Sequence, residues 1–139
     1  MRRVCASGYF DPCTIGHLEY FKLAKQIAGP DGQLIIIVNN DKQATLKKGR
    51  PFMKDKDRVE IIKAIRYVDE VYLSIDEDRT VCKTLSIIPN LTHFVNGGDQ
   101  FNDQIPEKSI CDELNIELID GLGDKIASSS WLTGLKALS

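Results

Sequence analysis

The chain has 139 residues, of which 42% are hydrophobic and 27% are charged, and these proportions predict one globular domain over residues 1–139. They exclude a disordered chain, a collagen-like repeat and a small disulfide-stapled protein. The net charge is −2, whereas proteins that bind along nucleic-acid phosphates usually carry a net positive charge. We therefore expect no nucleic-acid partner, and an anionic ligand would have to meet a local cluster of positive charge.

The sequence predicts neither export nor a membrane span. Two arginines follow Met1, but no apolar segment of about seven residues comes behind them, so we expect no signal peptide. The longest apolar run, residues 34–38, is far shorter than the roughly 20 residues that cross a bilayer. The four cysteines have neither metal-binding nor C-x-x-C spacing. We therefore predict a cytoplasmic protein with free thiols and no membrane partner.

Strand-like and helix-like segments alternate along the chain. Short apolar or β-branched runs predict strands, which cover residues 3–7, 34–38, 70–73, 92–95 and 116–119. Apolar residues at helical spacing and turn signals predict helices, which cover residues 16–28, 57–67, 80–88, 106–114 and 128–138. This alternation predicts a five-stranded, doubly wound parallel sheet with helices on both faces. Ligands bind at the carboxyl ends of the strands in such sheets, so the segments that follow the strands are the candidate site.

The connection after the first strand reads Gly8-Tyr9-Phe10-Asp11-Pro12-Cys13-Thr14-Ile15-Gly16-His17. Its glycines let the backbone approach a ligand closely, and the helix that follows offers free N–H groups to an anion. A histidine on the first turn of that helix can donate a hydrogen bond to a phosphate oxygen. The chain has no G-x-G-x-x-G fingerprint. The segment therefore indicates a phosphate-binding site that differs from the site of dinucleotide-binding folds.

These ten residues resemble the G-x-F-D-x-x-[HT]-x-G-H motif of the cytidylyltransferase-like nucleotidyltransferases, and the resemblance extends over nearly the whole chain. It implies a Rossmann-like fold with three α/β/α layers. It also implies that His17 and Thr14 stabilise the transferring phosphate, with Thr14 at a position where many members have histidine. The resemblance further implies that five residues of the motif bind the nucleotide: Gly8, Tyr9, Phe10, Asp11 and Gly16.

The segment after the second strand is strongly basic. Residues 42–58 hold seven Lys or Arg and two acids, a local charge of +5 in a chain of −2. We expect a loop here that clamps phosphate, with an ordinary solvated basic loop as the alternative. The resemblance implies that Lys47 or Lys48 neutralises the α-phosphate, without deciding between them, and that Arg58 binds the leaving pyrophosphate.

Two later segments extend the resemblance. Gly97, Gly98 and Asp99 follow the fourth strand and are similar to a motif of heptose 1-phosphate adenylyltransferases, which implies contacts with the nucleoside. Residues 66–71 are instead similar to glycerol-3-phosphate cytidylyltransferases, so the base is left open between adenine and cytosine. A serine motif opens the last helix and is implied to hold the β- and γ-phosphates; its residues are Ser128, Ser129 and Ser130.

The resemblance implies transfer of a nucleoside monophosphate from CTP or ATP to a small phosphorylated alcohol or sugar, of the glycerol 3-phosphate or heptose 1-phosphate type, with release of pyrophosphate. Alternatives within this class are an FMN adenylyltransferase and a phosphoethanolamine or phosphocholine cytidylyltransferase. An alternative outside it is an inactive, nucleotide-binding regulatory module. We expect Mg²⁺ held mainly by substrate phosphates, with no metal site made of side chains. The resemblance also implies a homodimer.

Overall fold

The computed structural model describes residues 1–95 and 106–119. Its elements, in chain order, are β1 (Arg3–Gly8), α1 (Ile15–Ala28), β2 (Gln33–Val38), α2 (Asp41–Lys48), α3 (Asp55–Lys63), β3 (Glu70–Leu73), α4 (Cys82–Ile87), β4 (His93–Val95), α5 (Lys108–Glu113) and β5 (Glu117–Ile119). The helix predicted over residues 128–138 lies outside the described residues. No helix of the described ranges is long and apolar enough to cross a membrane.

The five strands form one sheet in the order β3-β2-β1-β4-β5, and every pair of neighbours is parallel. The chain moves outward from β1 to β3, then returns to the other side of β1 for β4 and β5. The strand order therefore reverses between β1 and β4, and the carboxyl ends of these two strands form the switch point where ligands bind in this class of fold. The predicted doubly wound, Rossmann-like architecture is confirmed.

Alternate residues of the central strands point to opposite faces of the sheet, as the period of a β-strand requires. Val4 and Ala6 of β1 pack in one core with residues of α1 and α3 such as Phe21 and Ile62. Cys5, which lies between them, packs in a second core beneath α4 and α5. Because both faces of the sheet are covered, residues 4–6 of β1 and 34–38 of β2 are continuous apolar runs.

The segment after β2 differs from the predicted loop, because its first part is helix α2. Asn40 caps this helix: its side chain accepts a hydrogen bond from the Gln43 N–H at 2.9 Å, and the Gln43 side chain accepts one from the Asn40 N–H at 2.9 Å. This reciprocal pair is a capping box, which stabilises the first turn of a helix. The charge density of residues 42–58 concealed this signal in the sequence.

Helix α3 also differs from its prediction, since it covers Asp55–Lys63 rather than residues 57–67. The chain tightens at its end, where the N–H groups of Ala64 and Ile65 donate to the carbonyls of Ile61 and Ile62, both at 3.1 Å. These short-range bonds end the helix and turn the chain toward β3. The apolar residues at positions 65 and 67 still pack against the core, which is why they extended the helical pattern in the sequence.

Candidate active site

The connections after β1 and β2 meet at the carboxyl edge of the sheet. The N–H of Asn39, directly after β2, donates to the carbonyl of Gly8 at the end of β1 at 2.9 Å. The motif segment after β1 and the basic segment after β2 therefore start side by side. The structure brings the first two predicted site segments together, while Gly97, Gly98, Asp99 and Ser128, Ser129, Ser130 lie outside the described residues.

Gly8 is required by the packing of Phe10. A Cβ added at Gly8 would lie 2.8 Å from Cζ of Phe10, closer than side-chain carbons approach one another. The Phe10 ring is buried and packs edge-on against the His17 ring, with 5.0 Å between the ring centroids. Phe10 has a φ of 51°, in the left-handed region that costs a bulky residue energy. The Phe10 ring thus packs beside His17 and restricts the position of the His17 ring.

His17 has one ring nitrogen engaged by the protein. The N–H of Thr14 donates to His17 Nδ1 at 3.0 Å, and the Thr14 hydroxyl lies 3.3 Å from the same atom. Burial lowers the pKa of the His17 imidazole below its ordinary 6.5, so the ring is neutral at physiological pH. Since Nδ1 accepts a hydrogen bond, the proton of the neutral ring resides on Nε2. His17 is therefore a neutral Nε2–H donor at the N-terminus of α1.

The Asp11 carboxylate anchors the basic segment from within the protein. Its side chain is 1% exposed and lies 2.5 Å from the Lys48 ammonium, while the N–H groups of Phe52 and Met53 donate to it at 2.7 and 2.6 Å. Burial by itself raises the pKa of the Asp11 carboxyl, but Lys48 and the two N–H donors outweigh it, and the pKa lies below its ordinary value. Asp11 is thus an ionised clamp between the two connections.

Arg58 is enclosed by the same segments. Its side chain has no exposed surface, and its guanidinium donates to the carbonyls of Met53, Tyr9 and Asn39 at 2.7–2.9 Å. A fourth hydrogen bond reaches the Asp41 carboxylate at 2.8 Å. The pyrophosphate contact expected from the sequence would require Arg58 to give up some of these partners.

The two lysines at the end of α2 are exposed but have different partners. Lys48 forms the ion pair with Asp11, whereas the Lys47 ammonium lies over the ring of Tyr9, 4.4 Å from its centroid. Of the residues predicted to act at the phosphates, Thr14 and Lys47 are exposed and His17 is partly exposed. The side chains of Phe10, Asp11 and Arg58 are instead used to hold these segments together.

Sequence reasoning did not single out Asp41, although it joins the two helices of the basic segment. The N–H of Asp41 donates to the Asp55 carboxylate, and the N–H of Asp55 donates to that of Asp41, both at 2.9 Å. Two acids at the starts of two adjacent helices were the available signal, because carboxylates are favoured at helix N-termini. The exchange holds α2 against α3 and completes the surroundings of Arg58.

The described residues contain no group of three or more His, Cys, Asp or Glu side chains that could hold a metal ion. Asp11 and Asp41, two of the carboxylates at this edge of the sheet, are occupied by hydrogen bonds and ion pairs with the protein. Most of the exposed charges of residues 42–58 are cationic, which suits a ligand that carries phosphate groups.

Comparison with known proteins agrees with this geometry. The family model described as cytidylyltransferase-like matches residues 5–120. The FAD synthase of Methanothermus fervidus is 35% identical over 116 residues, which are 83% of this chain and 75% of that protein. The FAD synthase of Korarchaeum cryptofilum is 32% identical over 133 residues, 92% of this chain and 88% of that protein. The crystal structure of a lipopolysaccharide core biosynthesis protein from Thermoplasma volcanium has a TM-score of 0.70 at 25% identity, covering 86% of this chain and 95% of that one.

Three observations together define a nucleotidyltransferase of Rossmann-like fold: the parallel sheet, the G-x-F-D and G-H residues at its switch point, and these matches. The chain belongs to the cytidylyltransferase-like family.

Proposed function

We propose that the protein is an FMN adenylyltransferase, which joins AMP from ATP to the phosphate of FMN and produces FAD and pyrophosphate. The observation that carries the proposal is the similarity to two FAD synthases over 83% and 92% of the chain. This replaces glycerol 3-phosphate and heptose 1-phosphate as the favoured acceptors.

The reaction requires positioning and charge neutralisation more than covalent chemistry. A phosphate oxygen of FMN attacks the α-phosphorus of ATP, and the bond between that phosphorus and the bridging oxygen to the β-phosphorus breaks. Pyrophosphate leaves with the electron pair. The attacking oxygen is already ionised near neutral pH, so no general base is needed. The protein must hold two polyanions together and stabilise the charge that develops at the α-phosphate.

The described residues supply groups for this task. The neutral Nε2–H of His17 and the hydroxyl of Thr14 donate to the transferring phosphate, and a lysine of α2 neutralises it. Asp11 and Arg58 keep the two connections in register, which we propose in place of a pyrophosphate contact for Arg58. Gly16 lies beside Thr14. Among the residues that the structure describes, an added Cβ would meet only Thr14 Oγ1 within 4 Å, at 3.6 Å, which leaves space for the nucleotide at the start of α1.

Contacts from the rest of the chain complete the proposal. Gly97, Gly98 and Asp99 would contact the nucleoside, and Ser128, Ser129 and Ser130 would bind the β- and γ-phosphates. Mg²⁺ would accompany the triphosphate, held by phosphate oxygens, and we assign it no described side chain as a ligand. We also propose that the enzyme is a homodimer of single-domain chains, which sedimentation velocity would test.

The test crosses ATP and CTP against five acceptors: FMN, glycerol 3-phosphate, heptose 1-phosphate, phosphoethanolamine and phosphocholine. We expect pyrophosphate and FAD only from ATP with FMN, lost on chelation of Mg²⁺ and reduced by about 10²–10³ in His17→Ala. Pyrophosphate release with CTP and glycerol 3-phosphate, but not with FMN, would overturn the proposal.

A sugar phosphate is the second candidate acceptor. The structural match to a lipopolysaccharide core biosynthesis protein, which the chain covers over 95% of its length, favours it. Heptose 1-phosphate in the same panel separates the two candidates, since a sugar-specific enzyme would produce no FAD.

A further inference from the structure

Lys47 and Lys48 are adjacent in sequence but differ in electrostatic surroundings. Helical geometry turns consecutive side chains about 100° apart, so they cannot share one position. Lys48 contacts the buried Asp11 carboxylate at 2.5 Å and also donates to the Asp11 carbonyl at 3.2 Å. Lys47 lies 4.4 Å from the centroid of the Tyr9 ring, well within the range of a cation–π contact. One ammonium is thus neutralised by an anion, and the other rests on an uncharged surface.

Tyr9 is partly buried and is held through its backbone. Its backbone carbonyl accepts a hydrogen bond from the buried Arg58 guanidinium at 2.7 Å. Its hydroxyl oxygen is buried and has no hydrogen-bond partner among the described residues. Tyr9 also directly precedes Phe10, whose ring packs against His17. Two consecutive aromatic residues therefore contact two of the groups that face the site: Tyr9 lies against Lys47, and Phe10 lies beside His17.

We propose that Tyr9 is the positioning residue that reserves Lys47 for the triphosphate, and that Lys48 is a structural cation dedicated to Asp11. The face of an aromatic ring attracts an ammonium group without cancelling its charge, so Lys47 stays available to an incoming phosphate. A carboxylate partner would have to be displaced first. The proposal rests on the proposed placement of the triphosphate at this edge of the sheet, but not on the identity of the acceptor.

The test measures binding of ATP, CTP and inorganic pyrophosphate by calorimetry, with Mg²⁺ and no acceptor, to the wild-type protein, Tyr9→Leu and Tyr9→Phe. Tyr9→Leu removes the ring, and we expect it to weaken binding of the preferred triphosphate about three- to tenfold. Tyr9→Phe keeps the ring and removes only the hydroxyl, so it should bind within about twofold of wild type. Because no acceptor is present, the result is independent of whether FMN is the substrate.

A double-mutant cycle separates positioning from general damage. In a Lys47→Met background, Tyr9→Leu should cause no further loss of triphosphate binding, because its effect acts through Lys47. An equal loss in both backgrounds would overturn the proposal. So would a Tyr9→Phe protein that binds as weakly as Tyr9→Leu.

The two lysines provide a second comparison, which holds even if Tyr9→Leu fails to fold. We expect Lys47→Met to weaken triphosphate binding at least tenfold with an unchanged urea midpoint. We expect Lys48→Met to lower the urea midpoint, because it removes the nearer cation at 2.5 Å and leaves the buried Asp11 carboxylate with only the Arg58 guanidinium at 3.9 Å. The reverse pattern, with binding lost through Lys48 and the midpoint lowered through Lys47, would assign the roles the other way and overturn the proposal.

Discussion

The Nδ1 atom of His17 accepts a hydrogen bond from the N–H of Thr14 at 3.0 Å. A helix-capping interaction thereby sets the tautomer of the histidine and leaves Nε2–H as the donor. Because burial also lowers the pKa of the ring, His17 acts as a neutral hydrogen-bond donor rather than as a cation.

The first prediction concerns this tautomer. The lowered pKa keeps His17 neutral below the ordinary value of 6.5, and protonation of Nδ1 would break the bond from Thr14. We therefore expect kcat/KM to be constant through neutral pH and to fall only with an apparent pKa below 6.5. The measurement is a pH profile of pyrophosphate release. A limb that falls with a pKa well above 6.5 would contradict a neutral His17.

A variant pair checks the same assignment. The side-chain amide nitrogen of glutamine lies close to the position of Nε2, so His17→Gln should retain more kcat than His17→Ala. Equal kcat values for His17→Gln and His17→Ala would mean that the Nε2–H of His17 does not stabilise the transferring phosphate.

The second prediction separates two glycines of the motif. In Gly8→Ala the new Cβ would lie 2.8 Å from Cζ of Phe10, and we expect overpacking to lower the free energy of unfolding by about 1–3 kcal/mol. Gly16→Ala adds a Cβ that, within residues 1–95 and 106–119, has only Thr14 Oγ1 within 4 Å, at 3.6 Å, so its stability should be equal to wild type or higher.

Triphosphate binding distinguishes the roles further. Gly16→Ala should weaken ATP binding because it fills space beside the proposed nucleotide, while urea unfolding stays unaffected. Normal stability in Gly8→Ala would show that Phe10 can move without cost, contrary to the packing described.

The third prediction concerns the ionised clamp at Asp11. Asp11→Asn removes the anion opposite Lys48 and one of the acceptors for the N–H groups of Phe52 and Met53. Hydrogen bonds to charged groups are worth about 1.5–3 kcal/mol, so we expect a loss of this order in unfolding free energy. Asp31→Asn, at an exposed turn residue, is the matched control and should be neutral.

The pH dependence of this loss has a defined sign. The pKa of Asp11 lies below its ordinary 3.8 in the folded protein, so its stabilisation is complete above that value and is lost as pH falls through the folded-state pKa. Urea unfolding of wild type and Asp11→Asn should therefore differ most at neutral pH and converge in strong acid. A difference that grows toward low pH would be incompatible with an ionised clamp.

The fourth prediction tests the structural role of Arg58. Lysine cannot reproduce the planar set of donors that reaches Tyr9, Asn39 and Asp41. We expect Arg58→Lys to lower the unfolding free energy by about 3 kcal/mol, since it leaves buried acceptors unpaired. Arg79→Lys, at an exposed position, controls for the change of side chain. If Arg58→Lys kept full stability and lost only affinity for pyrophosphate, Arg58 would be a ligand-binding residue instead.

Much of this description follows from local pattern. Three features can be recognised from consecutive residues: the alternation of strands and helices, the apolar run of β2, and the motif from Gly8 to His17. Each of them predicts its own element or turn. Helix α2 was missed because its cap, Asn40 with Gln43, is two residues in a segment dominated by charge. The family also follows from the motif, because its spacing depends on a single connection.

By themselves, the hydrophobic periods and turn residues of the sequence determined the alternation of strands and helices and a sheet covered on both faces, because both act between near neighbours. The class of reaction came from the resemblance of residues 8–17 to a known motif. Only the tertiary structure decided which charged residues pair with partners inside the protein and which face the site. Asp11 and Lys48 are 37 positions apart, and Arg58 reaches Tyr9 across 49. Whether a lysine meets a carboxylate, an aromatic ring or solvent depends on how distant segments pack, and no periodicity records such a contact.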